Sequence, residues 1–485
     1  MIMKRTLKHS VALATFAAAI ALTGCQKEEL METQFAEPQA SFSSLNGQAI
    51  EGQYIVVFKN SGASVKGNNS FSATKVEAAR IRERALGASK ISASDVSQVY
   101  EGVVNGFAAR LTPDQLSALR NNPDVAYVEQ DRIITLAPKW TDTETTSTKG
   151  NKGGGGGSTE TSGGTTTKGG GKKTTEPAPE PEPTEPAPTE PAPSEPTPTE
   201  PAPTEPAPTE PAPTEPAPTE PAPAYAALTP LAGETIPWNI ERVGYGDGTG
   251  KTVWVIDSGI DTDHPDLNVD VERSFSFIYG NPSIEDGFGH GTSVSGIIAA
   301  KNNGTGMIGV AANATIVALR VFDDAGAGSV SRAISAVNYV ISNAKPGDVV
   351  NMSLGSGISS TLDNAVLTAS EKGILFSLAA GNSGVDCSGT SPARVNAPGV
   401  YTVSAMDIYG KLWSSSNFGA GVDFSAPGVG VTTTTKNGSF GTGHYGTSVA
   451  APHVAGVLLL RGEVMTQGYI TGDKDSTPDP IASLK

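Results

Sequence analysis

Cysteine is almost absent. The 485 residues hold only Cys25 and Cys387, so no disulfide framework supports the chain. Whatever folds must be held by apolar cores, and the length allows two or three domains that each bury one. A basic stretch is lacking too. The net charge is −16, and the Thr/Glu/Pro/Ala run from Thr174 to Pro223 supplies eleven Glu and no Lys or Arg. The acidity is largely a property of that run, and it speaks against nucleic acid as a partner. From Ala137 to Pro223 no periodic apolar pattern occurs, which excludes a packed core there. Gly153 to Gly157 reads as flexible. The TEPAP pentad favours extended polyproline II, a semi-rigid spacer reaching on the order of 150 Å at ~3.1 Å per residue. A period of five is too short for a solenoid repeat.

The first residues set the compartment. Lys4, Arg5 and Lys8 precede the apolar run Val11 to Leu22, which is too short to span a bilayer and has the form of an export signal. Leu22-Thr23-Gly24-Cys25 closes it and resembles the lipobox of bacterial lipoproteins. That resemblance implies cleavage before Cys25 and acyl chains that hold the exported protein on a membrane surface. The plainer alternative is an ordinary signal peptide with an incidental Cys25. With Cys25 lipidated, Cys387 has no intramolecular partner.

The rest of the chain divides by composition: signal 1–24, polar tether 25–50, a first folded block 51–137, linker 138–224 and a second block 225–485. In the first block Tyr54 to Phe58 predicts a buried strand and Ala73 to Leu86 a helix. Strands are expected around Val99 to Val104 and Gly106 to Leu111. A helix starts at Thr112-Pro113, where a capping hydroxyl precedes a first-turn proline, and a last strand covers Val125 to Val128. The order β-α-β-β-α-β is that of a small ferredoxin-like α+β domain. The second block alternates apolar strands (Thr252 to Ile256, Thr315 to Leu319, Val349 to Met352, Ile374 to Ala379) with helices such as Val330 to Ile341. This is the pattern of an α/β fold, a parallel sheet with helices on both faces. Its reactive residues belong at the carboxyl ends of the strands.

A serine becomes nucleophilic when a base takes its proton, and a carboxylate must orient that base. Asp257 ends the strand TVWVI and opens Asp257-Ser258-Gly259. His290 lies in Gly289-His290-Gly291-Thr292, and Ser448 in Gly446-Thr447-Ser448-Val449-Ala450-Ala451-Pro452-His453. Together DSGID, GHGTSVSG, NMSLGS, AAGNSG and GTSVAAPHVAG, over Ile236 to Arg461, resemble the subtilisin superfamily, of the subtilisin and proteinase K-like kind. The resemblance implies a serine endopeptidase acting on polypeptides through an acyl-enzyme, with Asp257, His290 and Ser448 as triad and Asn382 as oxyanion-hole amide. It implies substrate rims at Ser353, Leu354 and Gly355 and, opposite, at Gly326 and Gly328, with an extended peptide added as a strand. The alternative from another class is a pseudoenzyme that keeps the fold for binding.

The same resemblance implies no cofactor for chemistry but structural calcium. One site takes Glu234, Asp266, Asn303 and the carbonyls of Lys301, Thr305 and Met307; a second takes the carbonyls of Pro398 and Val400 with the carboxylate of Asp423. Glu234 stands where the family usually has Gln, and Lys301 sets a cation beside the loop. Asp261, Asp263 and Asp266 lack the Gly and Glu spacing of an EF-hand. His264 and His453 fall at scaffold positions, and His9 and His444 have no evident role. Cys387 is expected near the substrate rim as a tolerated free thiol. The first block resembles the subtilisin prodomain, down to Val128-Glu129-Gln130-Asp131. That implies an inhibitor of its own enzyme, cut off near Leu136 to Lys139. Such a cut leaves the lipid on the inhibitor fragment and releases the enzyme, which is expected to act as a monomer.

Overall fold

The computed structural model describes residues 45–59, 71–136 and 225–485. The export signal, Cys25 and the linker lie outside them. The first block is a four-stranded antiparallel sheet in the order Val125–Thr135, Ala49–Phe58, Asn105–Arg110, Val96–Glu101, with helices Phe71–Ala88 and Pro113–Arg120. The second helix begins as its sequence requires. Thr112 Oγ1 accepts the Gln115 N–H, Gln115 Oε1 accepts the Thr112 N–H, and Pro113 needs no donor in the first turn.

The run Tyr54 to Phe58 is apolar throughout because both faces of its strand are covered. Val56 and Phe58 pack with Ile81, Phe107 and Leu119 under the block's own helices. Ile55 and Val57 turn the other way, into a cluster with Val330, Ala333, Ile334 and Val337 of the second block. This docking also moves two boundaries. Val103 and Val104 belong to a turn and not to the expected strand, because Asn338 Oδ1 accepts both of their N–H groups and its amide donates to the Val104 carbonyl. The last strand runs on to Thr135 because its outer half pairs antiparallel with Ala327–Ser329 of the second block.

In the second block, nine strands of the described residues form one sheet. From one edge the order is Met465–Tyr469, Pro480–Ser483, Phe424–Pro427, Val400–Met406, Leu375–Ala379, Val349–Met352, Thr252–Asp257, Thr315–Arg320, Phe275–Ser276. All neighbours are parallel except the first pair. Side chains of Thr252–Asp257 alternate between two cores. Val253 and Val255 pack towards helices His290–Ala299 and Thr447–Arg461, whereas Trp254 and Ile256 pack towards Val330–Asn343 and Ser360–Ser370. The first two helices therefore share a face of the sheet and pack in one core. The C-terminal stretch, which lacks a clear pattern, adds two strands at the edge and buries Ile481 and Leu484.

Candidate active site

Asp257 is the last residue of its strand and is fully buried. His290 opens its helix after Gly289, whose φ of 106° sets the turn. His290 Nδ1 lies 2.8 Å from Asp257 Oδ1 and 2.9 Å from Oδ2. A carboxylate placed there accepts the Nδ1 proton, so the basic lone pair belongs to Nε2. Gly291 must lack a side chain, since a Cβ would come 2.1 Å from the Gly259 carbonyl oxygen.

Asp286, which sequence reasoning missed, ties these pieces together. Its Oδ1 accepts Ser258 Oγ and the Gly289 N–H, and its Oδ2 accepts the N–H and hydroxyl of Thr292. Ser258 Oγ in turn accepts the Gly291 N–H at 2.9 Å. The strand end bearing Asp257 and the helix start bearing His290 are thus fixed to one buried carboxylate.

Ser448 lies in the first turn of Thr447–Arg461. Its carbonyl would normally accept from residue 452, but that residue is Pro452 and has no N–H. Ser353 Oγ donates instead, at 2.7 Å, and itself accepts Asn351 Nδ2 at 2.9 Å. Asn382 Oδ1 accepts both the N–H and the hydroxyl of Thr447, at 2.8 and 2.7 Å. With its oxygen so committed, the amide keeps Nδ2 as its donor end, against the start of the Ser448 helix. Ser448, Asn382, Leu354 and Gly355 line one cleft, and Thr135 and Leu136 of the first block line it with them, as does Asn46 just upstream of that block.

The first block occupies the rim at Gly326 to Ser329. Ile133, Ile134 and Thr135 pair with Ser329, Gly328 and Ala327, and Leu136 N–H donates to the Gly326 carbonyl at 3.0 Å. Beneath this strand, Glu129 Oε2 accepts the N–H and hydroxyl of Thr361 at the start of Ser360–Ser370. Asp131 Oδ1 accepts the Ser331 N–H at the start of Val330–Asn343. Both carboxylates meet the positive ends of helices. Burial nevertheless holds the Asp131 carboxyl above its usual range.

Other sequence candidates fall as follows. Asp266, Glu234 and Asn303 meet around the loop 301–307. Glu234 Oε1 accepts the N–H groups of Asn303 and Gly304, both at 2.5 Å, while its buried Oε2 has no hydrogen-bond partner. Asp266 accepts Asn303 Nδ2 and the Met307 N–H, each at 3.1 Å. Burial pushes its carboxyl up to about 6, with the Glu234 charge adding to the rise. Two carboxylates against one loop, one of them with an orphaned buried oxygen, fit a hard cation. Asp423 accepts the Thr402 N–H at 2.8 Å, and burial raises its carboxyl to about 6 as well. Among the described residues no cluster of three His, Cys, Asp or Glu side chains forms, so carbonyls would have to complete each set, those of Lys301, Thr305 and Met307 the first and those of Pro398 and Val400 the second.

His264 and His453 are built into the scaffold. His264 bonds the Asp266 N–H and the Ser439 carbonyl, and His453 bonds Asn239 and the Val449 carbonyl. Cys387 corrects an expectation: it is fully buried, not on an open rim. Burial and the charge of Asp386 push its thiol up to about 11. His444 was also missed. It is buried opposite Val431, and burial and then the charge of His290 push it down to about 4.

Comparison with known proteins gives the family of the chain. Residues 248–467 match the model of the subtilase family and residues 53–137 that of peptidase inhibitor I9. Alkaline serine exoprotease A of Vibrio alginolyticus is 30% identical over 456 residues, covering 94% of this chain and 67% of that protein. Subtilisin Savinase of Lederbergia lenta is 42% identical over 236 residues, 47% of this chain and 84% of that protein. The chain belongs to the subtilase family. An alkaline protease of Alkalihalobacillus alcalophilus is 42% identical over 244 residues, and this subtilase matches 61% of its length. The crystal structure of a cold-adapted subtilisin-like serine proteinase aligns at 33% identity and a TM-score of 0.44, over 52% of this chain and 98% of that one.

Proposed function

We propose that this subtilase is an exported serine endopeptidase made as an autoprocessed zymogen. In the first step Ser448 Oγ attacks the peptide carbonyl and passes its proton to His290 Nε2. Asp257 stabilises the imidazolium so formed. Asn382 Nδ2 and the Ser448 N–H, at the positive end of its helix, hold the oxyanion. His290 then returns the proton to the departing amine. Water repeats the sequence on the acyl-enzyme and restores the serine. The observation that carries this reading is the doubly held Asp257–His290 pair, on a helix packed against the one that bears Ser448. A fluorophosphonate probe tests it. Wild type should label and Ser448→Ala should not; a wild type that stays unlabelled after removal of the first block overturns the reading.

The zymogen part rests on residues 133–136 lying along the rim that ends at Gly326. The expected cut, Leu136 to Lys139, starts at the last described residue of that block. With Cys25 lipidated, the cut converts a membrane-held precursor into a released enzyme that keeps the linker. Residues 1–24 and Cys25 lie outside the described residues, among which no helix is long and apolar enough to cross a membrane. Blocking the cut with Ser448→Ala should leave the protein in the membrane fraction while wild-type enzyme reaches the medium. Equal partition of the two would sink self-release.

Calcium is proposed at Glu234, Asp266, Asn303 and the carbonyls of Lys301, Thr305 and Met307, with a second ion at Pro398, Val400 and Asp423. It would neutralise buried carboxylates and take no part in the chemistry.

A further inference from the structure

The match to the inhibitor family begins at residue 53, yet the chain upstream of it is docked in the cleft. Gly47 N–H donates to the Ile133 carbonyl and Ile133 N–H to the Gln48 carbonyl, both at 2.9 Å. Arg132 Nη1 adds a bond to the Gly47 carbonyl at 2.9 Å. Between the pairs Ala49 with Arg132 and Tyr54 with Gln130 the register slips, so this arm is set off from the main strand by a bulge. Its contacts are not confined to its own block. Asn46 Oδ1 accepts the Thr135 N–H at 2.9 Å, and Asn46 Nδ2 donates to the Gly355 carbonyl at 3.2 Å. Gly47, at a φ of 78°, lies so close to the rim that a Cβ would come 3.0 Å from the Gly357 nitrogen.

An extended peptide held between the two rims needs hydrogen bonds from both. The rim at Gly326 to Ser329 is taken by residues 133–136. Among the described residues no backbone hydrogen bond joins that strand to the opposite rim. Its Gly355 carbonyl is engaged by a side chain from outside the inhibitor family's bounds. One amide thus bridges the inhibitor strand and the enzyme rim, satisfying a donor on the first and an acceptor on the second.

We propose that residues 45–49, a turn leading into the strand that starts at Ala49, are a second inhibitory element, which seals the cleft by occupying the Gly355 rim through Asn46. The occupant is the chain's own arm, and release of the arm opens that rim to a polypeptide substrate. The inference rests on the peptidase reading above.

The test uses the full chain and the rate at which a fluorophosphonate probe modifies Ser448 before the first block is removed. Asn46→Ala deletes both bonds, each of the usual modest net strength, so labelling should accelerate about tenfold. Gly47→Ala should act alike by steric exclusion from Gly357. Asn46→Asp keeps the acceptor for Thr135 but sets a carboxylate against the Gly355 carbonyl, and should label at least as fast as Asn46→Ala. Each variant is paired with a thermal unfolding curve in the Ser448→Ala background, where an unchanged midpoint is expected. Labelling at the wild-type rate in all three variants overturns the inference, as does acceleration that appears only with a lowered midpoint, which marks loss of fold. Either result leaves the peptidase reading standing. A chain that never labels, even with the first block removed, overturns both.

Discussion

At the scale of single residues, burial decides chemistry more than residue type does. Cys387 and Ser448 are both nucleophile types, yet only Ser448 opens on the cleft. The thiolate and not the thiol is the reactive form. With its thiol raised to about 11, Cys387 should resist iodoacetamide in the native protein at about pH 8 and react once the chain is denatured. Peptide mapping after each treatment checks this; native alkylation at Cys387 would contradict the assigned burial. Two histidines illustrate the same rule. His453 is held neutral deep in the scaffold, its imidazole pushed down to about 3 by burial. His444, in contrast, feels the charge of His290 and so sits within the field of the candidate site.

At the scale of elements, the Ser448 helix carries a proline that its neighbour accommodates. Pro452 deprives the Ser448 carbonyl of a helical donor, and the Ser353 hydroxyl from the adjacent strand end replaces it. Ser353→Ala would leave that carbonyl buried without a partner, which costs roughly 1–3 kcal/mol. Denaturant unfolding in the Ser448→Ala background should show the loss as a lower midpoint with an unchanged slope. An unchanged midpoint would mean that water or a shifted backbone satisfies the carbonyl. Ser353 was expected as part of an edge that pairs with a substrate backbone; its side chain serves the helix, and the residue lines the cleft. The edge itself, at Gly355, is engaged by Asn46.

At the scale of the whole molecule, five carboxyls are raised, chiefly by burial: Asp131, Asp266 and the half-buried Asp363 and Asp423, the last three to about 6, and Asp479 to about 7. A carboxyl raised on folding favours the protonated folded state. Its contribution to stability is present below the ordinary value near 4 and is lost as pH rises through 6 to 7. Metal-free protein should therefore gain less from its fold at about pH 8 than at about pH 5. Calcium at Asp266 and Asp423 would offset the loss. At a hundredfold excess over its Kd, each bound calcium should raise Tm by roughly 5–10 °C at pH 8, with a smaller rise at pH 5. Calorimetry of the EDTA-treated Ser448→Ala chain checks this, and the absence of a gain at both values would exclude the two proposed sites. Much of this protein is already determined by its sequence. The parallel sheet follows from continuous apolar strands between helices, the capped helix at Thr112 from its first four residues, and the candidate residues Asp257, His290, Ser448 and Asn382 from the blocks around them. These are local patterns, written in residues adjacent along the chain. Tertiary structure alone decided what depends on distant segments meeting. Asp286 gathers the Asp257 and His290 segments, Ser353 supplies a donor 95 residues from its acceptor, and Asn46 reaches a carbonyl 309 residues away. A hydrogen bond is fixed by a few ångströms in space, and such separations leave no periodicity or spacing by which a sequence could announce them.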